Sequence, residues 1–145
     1  MPQELAPEIV RSVVLAADRE TVWRAISSDD GLAGWLADTA SVDIRPGGTG
    51  SVGFAGGHVR RLRVDDVTAG ETIAFRWAPE TMPEAETRVE LRLEDAADGA
   101  TRITVVERGF AQAATRGAGR VAASAWAWEA ALAALVALLV LVAVA

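Results

Sequence analysis

Residues 71–108, ETIAFRWAPETMPEAETRVELRLEDAADGATRITVVER, decide the fold. Within them Ile73, Phe75 and Trp77 fall at every second position, as do Val89, Leu91 and Leu93, and then Ile103 and Val105. A period of two places each set on one face of an extended strand. The intervening positions carry Arg76, Arg88, Glu90, Arg92, Arg102 and Thr104. One dry face and one wet face mark strands of an antiparallel sheet. Pro79 and Pro83 fall in the loop after the first strand, and Asp98-Gly99 supplies the turn between the last two. The arginine row therefore reads as a solvated surface with cross-strand Arg–Glu pairs, not as a binding patch.

The alternation continues toward the N-terminus. Leu62 and Val64 join the dry set and Arg61 and Arg63 the wet set, on a strand expected over residues 58–67. Gly56-Gly57 makes a hairpin with a short strand over 51–55. Val42 and Ile44 lead into Arg45-Pro46-Gly47-Gly48, where proline presets φ and glycine accepts a positive φ. That segment is a turn and not a phosphate loop, since it lacks the spaced lysine and hydroxyl and opens no helix. Asp18 is placed to N-cap a helix reaching Ser28, on which Val22, Trp23 and Ile26 form an apolar stripe. Residues 29–36 read as a second short helix with Leu32 and Trp35 on one side, and residues 8–16 as the first strand. Two short helices after a first strand sit where a sheet could be closed at one end.

Residues 121–145 predict a helix of unusual composition. Trp128, Leu132, Leu135 and Leu139 keep the spacing of a stripe packed on a sheet, yet residues 130–145 are only alanine, leucine and valine. A helix apolar all round is buried on every side or lies in a membrane. Sixteen such residues rise about 24 Å, short of the ~30 Å hydrocarbon core. The stripe favours a packed helix whose remaining apolar strip serves a homodimer contact, with membrane association of the tail as the other option.

Composition narrows the function classes. With 145 residues, 51% hydrophobic and 23% charged, the chain is expected to form one domain with a core over about residues 8–142. The net charge is −6 and every cation is arginine, so no nucleic-acid partner is expected. Lysine-free, alanine- and arginine-rich usage points to a GC-rich bacterial genome. Without cysteine, thiolate chemistry and Cys-ligated metals are excluded, and a lone histidine offers no metal-ligand spacing. No cofactor is expected. The first twenty residues carry Glu4, Glu8, Asp18 and Glu20 and no long apolar run, so a cytoplasmic location is expected by default.

The order of these segments resembles a known family. It runs from a strand through Thr21-Val22-Trp23-Arg24-Ala25-Ile26, Leu32-Ala33-Gly34-Trp35 and Arg45-Pro46-Gly47-Gly48 to the strand ending in Trp77. Residues 99–104 (GATRIT), Glu107-Arg108-Gly109-Phe110 and a tryptophan-led helix complete it. In this order the chain resembles the bacterial proteins named for the activator of Hsp90 ATPase homologue, in the START-like (SRPBCC) superfamily. The resemblance implies an α+β helix-grip (Bet v 1/START-like) fold, a curved antiparallel sheet around a long C-terminal helix. It also implies a cavity between sheet and helix that takes a hydrophobic small molecule, in a carrier or regulatory role. A minority of such proteins catalyse cyclisation or dehydration, and the family has no universal catalytic residue. A cyclase- or dehydratase-type enzyme using His58 or Glu107, or a module docking a chaperone or regulator, stay open as alternatives.

The candidate cavity set follows. Trp35, Phe54, Phe75, Trp77, Phe110 and Trp128, with Leu132, are expected to border the space, unless the aromatics simply fill the core. His58 and Arg60 share parity with Leu62 and Val64, and Glu107 with Ile103 and Val105. Charges facing an apolar interior must be paired or hydrogen-bonded. Either Arg60 and Glu107 orient a ligand's polar end with His58 as proton carrier, or all three reach solvent at the mouth and pair with one another.

Overall fold

The computed structural model describes residues 8–110 and 117–144, with side chains described for 8–110 and 127–140. In chain order the elements are β1 (Glu8–Leu15), α1 (Arg19–Ser27), α2 (Asp29–Trp35), β2 (Thr39–Val42) and β3 (Thr49–Phe54). Then follow β4 (His58–Thr68), β5 (Thr72–Pro79), β6 (Thr87–Asp95), β7 (Thr101–Arg108) and α3 (Gly117–Val144). Among the described residues the strands form one curved antiparallel sheet in the order β1-β7-β6-β5-β4-β3-β2. The α+β helix-grip architecture is thus the one the alternation and the final helix imply. β1 and β2 are neighbours in sequence but lie at opposite edges, so α1 and α2 carry the chain across the sheet.

Local chemistry fixes that crossing. The Asp18 carboxylate accepts the Thr21 backbone N–H at 2.9 Å and caps α1. This hydrogen bond holds the Asp18 carboxyl below its ordinary range. Its contribution is present at neutral pH and fades as pH falls through the lowered value. Ser28 ends α1 and caps α2, its hydroxyl accepting the Gly31 N–H at 3.0 Å. A side chain at Gly31 would meet the Ala25 carbonyl oxygen at 2.4 Å, so glycine allows the two helices to touch. The Trp35 indole N–H then donates to the Ala25 carbonyl at 3.0 Å and locks α2 on α1.

β3 begins at Thr49, two residues before the alternation suggested, because the turn ahead of it is itself bonded to β4. Gly47 N–H donates to the Val64 carbonyl and Val64 N–H to the Gly48 carbonyl, each at 2.8 Å. Gly47 has φ +83°. The amides of this turn are therefore committed to protein carbonyls, as a structural turn requires.

The wet face differs in detail from the expected Arg–Glu pairing. The register sets Arg63 opposite Arg76, Arg76 opposite Arg88, and Arg88 opposite Arg108. Like charges in direct register are unfavourable. A bulge between Val64 and Asp66 shifts the β4 register at Asp65, which accepts from Arg76 at 2.9 Å and Arg88 at 3.4 Å. Arg108 pairs with Glu8 at 2.9 Å and Arg61 with Glu80 at 3.0 Å. The counter-charges come chiefly from the bulge and the strand ends.

On the dry face Val22 and Ile26 of α1, Leu32 and Trp35 of α2, and the inward residues of the strands form one cluster. Trp128, Leu132, Leu135 and Leu139 of α3 join it at 5% exposure or less. The opposite side of α3 exposes Ala133, Val136, Ala137 and Val140. The packing option for the tail therefore holds over its described side chains, and among the described residues no helix is long and apolar enough to cross a membrane. Ala145 lies outside the described residues. Leu135 is fully buried and Val140 is 53% exposed. Leu135→Ala is expected to lower the unfolding free energy by about 3 kcal/mol, measured by urea denaturation. Val10→Thr, at a β1 side chain 48% exposed and away from α3, should change it by less than about 0.5 kcal/mol.

Candidate ligand cavity

Around Trp128 the side chains of α3 are small, and a space between helix and sheet stays open beside it. Ala127, Ala130 and Ala131 flank Trp128 along one wall of a cavity of about 610 Å³. Trp35 and Leu36 close it from α2, and Phe54 and Gly57 from the hairpin between β3 and β4. His58, Val59 and Arg60 of β4, Trp77 and Pro79 of β5, and Glu107 of β7 complete the lining. Glu80 and Thr81, both exposed, stand with exposed His58 and Gly57 at its mouth. The volume lies within the range of small-molecule sites.

Glu107 is the chemical centre of this wall. Its place on β7 two residues past Val105 aims it inward, and it is 2% exposed. A buried carboxylate needs its lone pairs occupied. Trp77 Nε1 and Thr87 Oγ1 donate to Oε2 at 3.0 and 2.6 Å, and Trp128 Nε1 donates to Oε1 at 2.8 Å. Three donors converging on one carboxyl suit the acceptor-only carboxylate. The same bonds tie β5, β6, β7 and α3 together at a single side chain.

The aromatic wall is ordered by this anchor. Trp77 and Trp128 stack with centroids 5.7 Å apart and planes at 25°, and Phe75 meets Trp77 edge-on at 5.4 Å. The Arg60 guanidinium lies 4.7 Å from the Trp77 ring centre, a cation–π contact. The register explains it: Leu62 is opposite Trp77 and Arg60 opposite Pro79, so Arg60 sits diagonally from the indole on the same face.

The structure gathers Trp35, Phe54, His58, Arg60, Trp77, Glu107 and Trp128 around the cavity. Phe75, Phe110 and Leu132 are instead core residues, exposed by 4%, 1% and 5%. Phe75 borders a void of only about 10 Å³ with Leu62, Ile73 and Leu91. Leu132 lies one turn past Trp128, where helix and sheet have already closed together. Nor do all three ionisable groups reach solvent: His58 is exposed and Arg60 half-buried, but Glu107 is buried on two indoles and a threonine. Thr87 is a participant that the alternation could have supplied, since it shares parity with Val89 and Leu91. The alanines of α3 gave a second available signal, small residues flanking a buried tryptophan.

The family model described as "Activator of Hsp90 ATPase homolog 1-like protein" matches residues 16–140. No curated protein matches the chain. Among solved structures, DynU16 from the dynemicin biosynthetic locus is 24% identical with a TM-score of 0.78 over 89% of this chain. The chain spans 45% of that protein's length. MLL2253 from Mesorhizobium loti is 18% identical with a TM-score of 0.81, covering 92% of this chain and 96% of that one. The Aha1 dimer from Colwellia psychrerythraea is 22% identical with a TM-score of 0.73, covering 89% and 92%. At these identities the likeness is one of fold.

Replacing Glu107 tests its part in this wall. Glu107→Leu strands three donors. It is expected to cost about 3 kcal/mol or more in guanidinium unfolding. Glu107→Gln, which keeps one carbonyl oxygen, should cost less, with the order of the two variants as the readout.

Proposed function

We infer that this chain, which belongs to the Activator of Hsp90 ATPase homolog 1-like family, binds a hydrophobic small molecule in the cavity between its sheet and α3, as a carrier or ligand-responsive domain. The observation that carries this reading is a cavity of about 610 Å³ whose aromatic walls are held in place independently of any occupant. Trp77 and Trp128 are fixed by Glu107, and Trp35 by Ala25, so the walls need no ligand to be ordered. A preformed apolar hollow avoids the ordering cost that binding otherwise carries. In this reading Glu107 has a holding role, and no bond-making step is assigned to it or to His58.

Self-association is a second part of the proposal. Ala133, Val136, Ala137 and Val140 form an exposed apolar strip along α3, and the Colwellia relative is a dimer. Sedimentation should then show a dimer that Val136→Glu with Val140→Glu converts to monomer. A wild-type monomer at tens of micromolar would remove this part and leave the cavity reading intact.

Ligand binding is tested with N-phenyl-1-naphthylamine, a neutral apolar fluorophore, by its own emission and by quenching of tryptophan. Saturable one-to-one binding is expected, and Ala131→Trp, which fills the cavity beside Trp128, should weaken it by about tenfold or more while circular dichroism stays unchanged. Absence of saturable binding by this and other apolar probes would refute the reading.

A further inference from the structure

The hydrogen bonds that hold Glu107 do not exhaust it. A carboxylate offers about four lone-pair positions to donors. Among the described residues, Trp77 Nε1 and Thr87 Oγ1 take two of them on Oε2 and Trp128 Nε1 takes one on Oε1. A position on Oε1 is left over. All three donors are neutral, so the negative charge of the group stays on the cavity wall. Glu107 lines the cavity while only 2% exposed, so what it presents there is a small window. A window of that size has room for one donor and not for a hydrated ion.

The neighbouring charges narrow the kind of donor. The Trp77 indole has Glu107 at its N–H and the Arg60 guanidinium 4.7 Å from its ring centre, so an anion and a cation flank one ring. An anionic ligand would meet Glu107 as a like charge, and an ammonium would meet Arg60 as one. The indoles themselves offer ring surface, since the Trp35 N–H is committed to the Ala25 carbonyl and the other two to Glu107. A sugar would place one hydroxyl on Glu107 and lose most of its other bonds to water. A neutral apolar body with a single hydroxyl or N–H loses one such bond and regains it on a charged acceptor.

We propose that the ligand of this cavity is a neutral apolar molecule with one hydrogen-bond donor, which it gives to Oε1 of Glu107. This rests on the reading of the cavity as a hydrophobic ligand site. It adds to the holding role of Glu107 a second one, that of a specificity residue.

The test uses four compounds on one naphthalene skeleton: 2-naphthol, 2-methoxynaphthalene, 2-naphthoate and 2-naphthylmethylammonium. Each is titrated at neutral pH into the full chain, and displacement of N-phenyl-1-naphthylamine is read by fluorescence. 2-Naphthol is expected to bind about tenfold tighter or more than the methoxy compound, the scale of one hydrogen bond to a charged group. Hydrophobicity alone gives the opposite order, because the ether is the more apolar of the two. Both ions should bind more weakly than 2-naphthol. In Glu107→Gln, with the fold checked by circular dichroism, the preference for naphthol over its ether should fall to about threefold or less. Where that variant does not fold, the wild-type series decides. A methoxy compound that binds as tightly as naphthol, tighter binding of either ion, or a preference unchanged in Glu107→Gln would each overturn the proposal and leave the hydrophobic-site reading standing. If neither N-phenyl-1-naphthylamine nor any of the four compounds binds, that reading falls, and this proposal with it.

Discussion

One carboxylate inside the dry face organises the domain. Glu107 would be costly to bury alone, so its position is tenable only with donors delivered from elsewhere in the fold. Trp77, Thr87 and Trp128 deliver them, from two other strands and from the long helix. Hydrophobic packing alone would fix α3 on the sheet only loosely along its axis, because one leucine stripe can slide against another. A directional bond at Trp128 removes that freedom. The helix is thereby held at a defined height, and the gap beside Trp128 cannot close by a shift in register.

The long helix then divides into two regions by side-chain volume. Along Leu132, Leu135 and Leu139 the helix is sunk into the core cluster, each leucine exposed by 5% or less. Around Trp128 the helix presents Ala127, Ala130 and Ala131, and there the separation set by the tryptophan leaves about 610 Å³. Core and cavity are thus two ends of one interface. Leucines fill the first, and alanines leave the second open.

Much of this could be read from the chain. The period-two alternation assigned the strands and their inner face, the Asp18 cap placed α1, and the Trp128–Leu139 stripe gave the packing side of α3. What alternation does not encode is depth along the sheet. Phe75 and Trp77 share a face, yet one lies in the core and the other borders the cavity. Leu132 likewise has its side given by the helix stripe and its height unknown, while Phe110 stands beyond the end of β7, where only its place in the motif suggested the cavity. The partners of the surface arginines were hidden differently. A bulge at Asp65 shifts the register, and a one-residue shift in β4 is invisible in a sequence that alternates equally well on either side of it. Glu107 was visible as an inward charge, but its donors come from residues 20 to 30 positions away, and no local pattern joins them.

The placing of β1 and β7 side by side has a consequence for how the chain is made. Arg108 bonds Glu8 across 100 positions of sequence, and among the described residues β7 is the strand that β1 pairs with. At a ribosomal rate of about 5–20 residues per second, the first strand waits on the order of 5–20 s for the last. During that interval Ile9, Val13 and Leu15 have no strand to join, while the hairpins from β2 to β6 can already assemble. Closure of this sheet edge is therefore a non-local event, in which β7 returns to capture β1.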